Sequence, residues 1–217
     1  MKLSQLGSAL KIMQTEARER NAPVLRVESA KTTPFRALVF VMLSARTKDD
    51  TTLRAVERLF AVADTPEKIA GLKTSKLETL LYGVGFYRVK SKNLIKTCNV
   101  LIEKFNSRVP DTLEELLTLP GIGRKSANIV LARCFGKHVI GVDTHVHRIA
   151  NRLGLVKTKK PEQTEQSLMR VVPKQYLRSL NKIFVAYGQT ICQPVSPWCS
   201  ICKIRNHCPR IGVKRSR

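Results

Sequence analysis

Acidic residues are scarce in this chain. Its 217 residues contain 16 Asp and Glu against 39 Lys and Arg, which gives a formal net charge of +23. So large an excess of positive charge favours a polyanionic partner, with DNA or RNA as the first expectation. The alternative is a basic surface that only keeps the protein in solution or suits an unusual cell interior.

Long apolar runs are also missing. The stretch from Leu38 to Leu43 is far shorter than the roughly 18–20 residues that span a bilayer, and it indicates a buried helix. The N-terminus lacks the layout of a signal peptide, and residues 3–20 fit an amphipathic helix of the fold. We therefore expect no membrane partner and a cytoplasmic, nucleoid-associated protein of prokaryotic type, although the basic tail at 211–217, which we expect to fray, also fits a nuclear signal.

Alternating β-branched segments are rare, whereas helical periodicity runs through nearly every segment. This predicts an all-α protein with short connections and no long linker. Prolines and capping residues mark helix starts, and glycines mark helix ends. The predicted helices span roughly 3–20, 33–45, 50–62, 66–72, 75–82, 88–105, 112–118, 124–135, 144–153, 162–172 and 174–190.

The most informative segment runs from Leu119 to Asn128, where Pro-Gly-Ile-Gly separates two predicted helices. Asp111 is the expected cap of the first helix, and Arg124 and Lys125 open the second. Glycines permit the tight turn, and the amide groups at a helix start can hold a phosphate. We interpret residues 112–135 as a helix-hairpin-helix motif. A fainter copy, with Gly83 and Gly85 after a Leu-rich helix, is either a second, degenerate hairpin or a chance match.

Four of the six cysteines follow the spacing Cys192-x6-Cys199-x2-Cys202-x5-Cys208. Four thiolates suit either a [4Fe–4S] cluster or tetrahedral zinc, and spacing alone leaves both open. Four structural cysteines without metal are the third possibility. Lys203 and Arg205 lie inside this loop. If a metal holds the loop in place, it would position both positive charges against a phosphate backbone. The alternative is a loop that is simply solvated.

Two residues are candidates for catalysis. Lys125 is a nucleophile if the helix start and Arg124 favour its uncharged amine, and otherwise a lysine that grips phosphate. Asp143 follows an extended apolar segment and precedes a helix, so it is both a good N-cap and a rigidly held carboxylate. His145 and His147 do not share a helical face, which argues against a pair of metal ligands.

These three features together resemble endonuclease III, the iron–sulfur DNA glycosylase/AP lyase family of base-excision repair, from about Pro34 to Cys208. The resemblance rests on the hairpin through Lys125, the segment Val142-Asp-Thr-His145 and the four cysteines. The resemblance implies two helical domains with a DNA-binding cleft between them. One would be a six-helix barrel domain at 27–137, and the other would combine 1–26 with 138–217.

The resemblance also implies roles for single residues. Lys125 would be the nucleophile, Asp143 the assisting carboxylate, and the four cysteines the ligands of a [4Fe–4S] cluster. Arg46, where relatives carry glutamine, and Phe86, where they carry leucine, would fill the gap left by the extruded nucleotide, unless Phe86 is simply core. The further DNA contacts would come from Ser44, Gly121, Gly123, Arg124, Thr144, His145, Lys203 and Arg205.

The implied activity is removal of oxidised pyrimidines from double-stranded DNA by a monomeric enzyme, through a lysine Schiff base and β-elimination 3′ to the abasic site. One alternative keeps the fold but excises adenine or mismatched bases, although such relatives generally lack lysine at the Lys125 position. The other alternative is a DNA-binding protein without catalysis, since helix-hairpin-helix units and a charge of +23 suffice for binding.

Overall fold

A computed structural model of the chain describes residues 1–26 and 33–217. The α-helices in these residues confirm the all-α prediction. Their bounds are α1 Leu6–Glu19, α2 Pro23–Arg26, α3 Pro34–Ser44, α4 Asp49–Phe60, α5 Pro66–Ala70, α6 Thr74–Leu80, α7 Tyr87–Phe105, α8 Leu113–Leu117, α9 Arg124–Cys134, α10 Thr144–Arg152, α11 Pro161–Val171 and α12 Lys174–Thr190.

The chain divides into two compact units. One comprises Ala30–Gly136, and the other comprises Met1–Ser29 together with Lys137–Arg217. The predicted boundary at residue 27 lies outside the described residues.

In the contiguous unit, α3 is the central helix and packs against α4, α7 and α9. The apolar run predicted to be buried lies in α3, where Leu38, Val39 and Leu43 are fully buried. Pro34 opens this helix, and the hydroxyl of Thr33 caps it by accepting from the amide of Arg36. The start of α3 is therefore fixed by two local features, a proline and a side-chain cap.

In the other unit, α1 and α10 both pack on α12. Met13 and Phe184 are fully buried in this core. The N-terminal ammonium group of Met1 donates to the carbonyl of Leu153 over 2.6 Å, which ties the start of the chain to the end of α10. None of the helices in the described residues is long and apolar enough to cross a membrane.

Two local expectations were wrong. The cap before α8 is Thr112 and not Asp111, because the Thr112 hydroxyl accepts from the amide of Glu115 over 3.3 Å. The C-terminal tail does not fray, because the Arg217 guanidinium lies 4.1 Å from the centre of the Trp198 ring and the Arg217 amide donates to the carbonyl of Pro197.

Candidate functional site

The hairpin between α8 and α9 is a tight turn closed by a hydrogen bond from the Ile122 amide to the carbonyl of Leu119, over 3.1 Å. Gly121 has φ +82°, a conformation that side chains rarely adopt, and a β-carbon there would lie 3.0 Å from the side-chain nitrogen of Asn93. The Thr97 hydroxyl donates to the carbonyl of Pro120 over 2.9 Å. Helix α7, which carries Asn93 and Thr97, therefore fixes the shape of the hairpin.

The start of α9 is open. Gly123 is its N-cap, contributes no side-chain cap, and has no atom within 4 Å of where a β-carbon would stand. The first amides of a helix have no partner within the helix itself. Arg124 and Lys125 follow at once, and both are exposed. The arrangement gathers helix-start amides and two cationic side chains at one exposed point, which suits an anionic ligand.

The faint sequence copy has a matching backbone turn. The amide of Val84 donates to the carbonyl of Leu81 over 3.0 Å, as that of Ile122 does to Leu119 in the first hairpin. Gly83 has φ +92°, close to the value at Gly121. The segment between α6 and α7 is therefore a second hairpin of the same local form, which decides the question that the sequence left open.

The two predicted wedge residues lie next to each other, with Phe86 in the second hairpin and Arg46 in the loop between α3 and α4. Phe86 is 61% exposed, which removes the core-packing alternative. The guanidinium of Arg46, itself exposed, lies 5.5 Å from the centre of the Phe86 ring, within the range of a cation–π contact. Ser44 is half-buried, and its hydroxyl donates to the carbonyl of Val41.

Asp143 is the N-cap of α10, as predicted. Its Oδ1 accepts from the amides of His145 and Val146, each over 2.9 Å. Both cap bonds end on the same oxygen, so the carboxylate is held rigidly while its Oδ2 has no part in the cap. Thr144 is exposed beside it. Lys125 and Asp143 belong to different units.

The two histidines of α10 have separate partners. His145 Nδ1 lies 3.0 Å from a guanidinium nitrogen of Arg148, and His147 Nδ1 lies 2.6 Å from the hydroxyl of Thr164. This agrees with the expectation that they are not a metal pair.

Sequence reasoning missed Arg148 and Arg152, which connect α10 to the cysteine loop. Arg148 donates to the carbonyls of Gly188 and Cys192, over 3.2 and 2.9 Å. Arg152 donates to the carbonyls of Gln193 and Pro194, over 2.6 and 2.8 Å, and to the Cys192 sulfur over 3.3 Å. The available signal was their spacing of four residues on one helical face, ahead of a loop without regular structure.

The cysteines at 192, 199, 202 and 208 line one cavity. Its other walls are largely apolar and include Ile149, Trp198 and Ile204. Burial raises the pKa of the Cys208 thiol, and the neighbouring Cys192 and Cys199 raise it further. Four thiols around a largely apolar cavity, with no carboxylate in its wall, form a donor set suited to an iron–sulfur cluster.

Among the described residues, no three His, Cys, Asp or Glu side chains are arranged to hold one metal ion.

A buried carboxylate lies behind this cavity. The hydroxyl of Tyr187 donates to Glu16 over 2.8 Å and lies 3.2 Å from the Cys202 sulfur. Glu16 is 1% exposed. Burial raises the pKa of the Tyr187 hydroxyl above its usual value. The hydroxyl therefore keeps its proton and remains a hydrogen-bond donor.

The two basic residues of the cysteine loop differ in their surroundings. Lys203 forms an exposed ion pair with Glu19, with 3.0 Å between the charged atoms. Arg205 is exposed in a short 3-10 helix at Arg205–His207. The Lys203 charge is therefore already partly compensated.

Comparison with known proteins gives consistent results. Residues 39–174 match the family model of the HhH-GPD superfamily of base excision DNA repair proteins. Endonuclease III of Thermotoga maritima is 47% identical over 178 residues, which cover 82% of this chain and 84% of the relative. Endonuclease III of Escherichia coli strain K12 is 37% identical over 194 residues, which cover 89% and 92%.

The fold is similar to solved structures of the same kind. A trapped endonuclease III–DNA covalent intermediate with an estranged adenine aligns with a TM-score of 0.84 and 31% identity, and covers 97% of both chains. A thermostable thymine-DNA glycosylase aligns with a TM-score of 0.73 at 20% identity, covering 92% of this chain and 96% of that one, which shows a shared fold.

Proposed function

The chain belongs to the HhH-GPD superfamily of base excision DNA repair proteins, and we propose that it removes oxidised pyrimidines from DNA with Lys125 as its nucleophile. It is a DNA glycosylase and AP lyase, as its similarity to endonuclease III over most of its length indicates. The observation that carries the proposal is the place of Lys125, exposed in the first turn of α9 next to the open hairpin amides.

DNA binding begins at the phosphate backbone. The hairpin amides, with Gly123 leaving space beside them, hold a phosphate next to the lesion. The net charge of +23 strengthens this contact without sequence preference. The contacts that Arg124, Thr144, His145, Lys203 and Arg205 make to DNA belong to the same proposal.

The damaged nucleotide has to leave the stack before it can react. Arg46 and Phe86 are exposed, and the Arg46 guanidinium lies next to the Phe86 ring. Both are distant in sequence from the hairpin between α8 and α9. They therefore suit the space in the base stack that the extruded nucleotide leaves. A damaged base pairs poorly, so its extrusion costs less than that of an intact base. This difference supplies part of the selectivity.

The chemistry follows from an amine and a carboxylate at one sugar. The Lys125 amine attacks C1′, and a C1′–N bond forms as the bond to the base breaks. The Asp143 carboxylate stabilises positive charge that develops on the sugar and assists proton transfer. The departing base takes up the proton that the amine loses. Cleavage of the C1′–O4′ bond then opens the sugar ring and converts the adduct to a Schiff base, which makes the C2′ proton acidic. Its removal expels the 3′ phosphate by β-elimination, and the strand breaks 3′ to the lesion.

The cysteines fit a [4Fe–4S] cluster held by Cys192, Cys199, Cys202 and Cys208. When bound, the cluster would join four points of the loop and so order it, with no part in base removal. Arg148 and Arg152 tie that loop to α10, which starts at Asp143. A bound cluster would therefore support the helix that carries the carboxylate.

We further propose that the protein acts as a monomer on the chromosome of a prokaryotic cell. The relatives named above are bacterial, and the solved structure at 31% identity is a complex with DNA. The proposed roles of Lys125, Asp143 and the hairpin use a single copy of the chain.

Borohydride trapping tests the nucleophile. Wild-type protein is incubated with a thymine-glycol duplex and borohydride, and the covalent complex is measured on a denaturing gel. Lys125→Gln is expected to abolish the complex, whereas Arg124→Gln removes the neighbouring charge and keeps the amine. Trapping that persists in Lys125→Gln assigns the reaction to another amine. Duplexes with A·8-oxoguanine or T·G pairs, run in parallel, separate the proposed substrate class from adenine or mismatch excision.

A further inference from the structure

Lys90 lies on α7 and directs its ammonium group at the end of α3. Its Nζ donates to the carbonyls of Leu43 and Ala45, over 2.7 and 2.6 Å, and to the hydroxyl of Thr47 over 3.2 Å. The last carbonyls of a helix have no partner within the helix, and positive charge near them is favourable. A lysine has three donors, so these three acceptors use all of them.

Thr47 extends this contact to the second hairpin. Its hydroxyl accepts from the amide of Gly85 over 3.0 Å. A β-carbon at Gly85 would lie 2.6 Å from the carbonyl oxygen of Arg46, so the two backbones approach as closely as only glycine allows. The loop that carries Arg46 and the hairpin that carries Phe86 are thereby joined through one ammonium and one hydroxyl.

The two wedge residues need such support. Arg46 has φ +54° and Phe86 has φ +59°, both in a conformation that is unfavourable for residues other than glycine. Backbone conformations of this kind persist where the surroundings determine them, and they concentrate at functional sites. The side chains of both residues project into solvent, so the support comes from the backbone contacts beneath them.

We propose that Lys90 is a positioning residue for nucleotide extrusion, which joins the Arg46 loop and the Phe86 hairpin into one preformed wedge. The inference rests on the proposed function of these two residues as the wedge. A preformed wedge enters the stack without first being ordered, and the entropy of ordering would otherwise weaken binding. Lys90 acts from beneath the loops and is already fully hydrogen-bonded, so it is not assigned a DNA phosphate.

Burial fits this role. Partial removal from water lowers the pKa of Lys90 to about 8. The amine therefore keeps its proton at neutral pH, where all three acceptors are served. Neither composition nor local pattern marks this lysine, because its partners lie 43–47 residues away in the sequence.

The test compares two variants on two substrates. Lys90→Met removes the ammonium, and Lys92→Met removes an equal charge from an exposed position on the same helix. The first substrate is a duplex with a paired thymine glycol, whose excision requires extrusion. The second is a single-stranded oligonucleotide with an abasic site, whose cleavage does not. Fluorescence of 2-aminopurine placed beside the lesion reports extrusion directly.

We expect Lys90→Met to slow duplex excision about tenfold and to reduce the fluorescence rise, while cleavage of the single strand stays within about twofold of wild type. Lys92→Met should change the ratio of the two rates little. An equal loss of rate on both substrates would overturn the proposal. So would a ratio of duplex excision to single-strand cleavage that equals the ratio measured for Lys92→Met. Cleavage of the abasic strand by the wild-type protein reports the proposed function independently of Lys90.

Thr47→Val covers the case in which Lys90→Met does not fold. Valine keeps the shape of threonine and removes the hydroxyl that connects Lys90 to Gly85. The same selective loss on duplex DNA is expected, to a smaller extent. A Thr47→Val protein with the wild-type ratio of rates would show that the two loops do not act as a joined wedge.

Discussion

Arg152 donates a hydrogen bond to the sulfur of Cys192 over 3.3 Å, from the same guanidinium that holds the carbonyls of Gln193 and Pro194. The helix that Asp143 caps at its start therefore contacts the cysteine loop through Arg152 at its end. Hydrogen bonds to the ligand sulfurs are among the factors that tune an iron–sulfur cluster. Arg152 is 8% exposed, so these contacts are shielded from water.

The first prediction concerns this contact. The purified protein should be brown, with a broad band near ~400 nm that chelators bleach slowly. Arg152→Lys keeps the charge but loses the planar fork that reaches a sulfur and two carbonyls at once, so its cluster should bleach several times faster. Arg170→Lys, at an exposed site on α11, is the matched control. Equal bleaching rates of the two variants would show that Arg152 contributes to folding alone. A colourless protein that contains zinc would show that the four cysteines do not hold an iron–sulfur cluster.

The second prediction separates the two roles of Asp143. Asparagine caps helices about as well as aspartate but carries no charge. Asp143→Asn should therefore melt close to wild type and bind lesion DNA, and yet excise about a hundredfold more slowly in single-turnover assays, as expected for loss of an electrostatic stabiliser. Unchanged excision would leave Asp143 with the capping role only.

The third prediction contrasts the two hairpin glycines. Gly121→Ala forces a side chain into φ +82° beside Asn93 and should cost about 1–2 kcal/mol in the free energy of unfolding. Gly123→Ala meets nothing in the protein and should leave stability within about 0.5 kcal/mol. Its methyl group would instead stand where the phosphate approaches, so affinity for abasic-site DNA should fall. Denaturant melts and binding assays measure the two effects, and unchanged affinity in Gly123→Ala would place the phosphate elsewhere.

The fourth prediction concerns the base left without a partner. The Arg46 guanidinium has donors only, and arginine pairs best with the acceptors O6 and N7 of guanine. A given lesion opposite guanine should therefore be excised faster than the same lesion opposite adenine, by about tenfold for one well-formed pair of hydrogen bonds. Glutamine both donates and accepts, so Arg46→Gln should narrow this difference. Equal rates opposite both bases in the wild-type protein would show that Arg46 fills space without reading the base.

Much of the fold could be predicted because local chemistry determines it. Helical periodicity, Thr65 before Pro66, and Asp143 before α10 each act within a few residues, and the structure has helices at these places. The error at Asp111 was also local. Thr112 is followed three residues later by Glu115, which is the spacing of a capping box, and this signal favoured the correct residue.

The parts of the site that sequence reasoning missed depend on contacts between distant segments. Lys90 is one lysine among many until its ammonium is seen between the carbonyls of Leu43 and Ala45. The role of Arg148 and Arg152 is visible only in the folded protein, where the cysteine loop that follows α12 lies against them. Tyr187 and Glu16 meet across 171 positions of sequence. Such pairs carry no periodicity, so the folded structure is needed to find them.

The discontinuous make-up of one unit has a consequence for biosynthesis. Residues 30–136 are contiguous, so that unit can fold as soon as the ribosome has released it. Helix α1 is translated before that unit, but its packing partner α12 is translated after it. The nascent chain therefore exposes the apolar face of α1, with Leu6 and Met13, until α12 has been made.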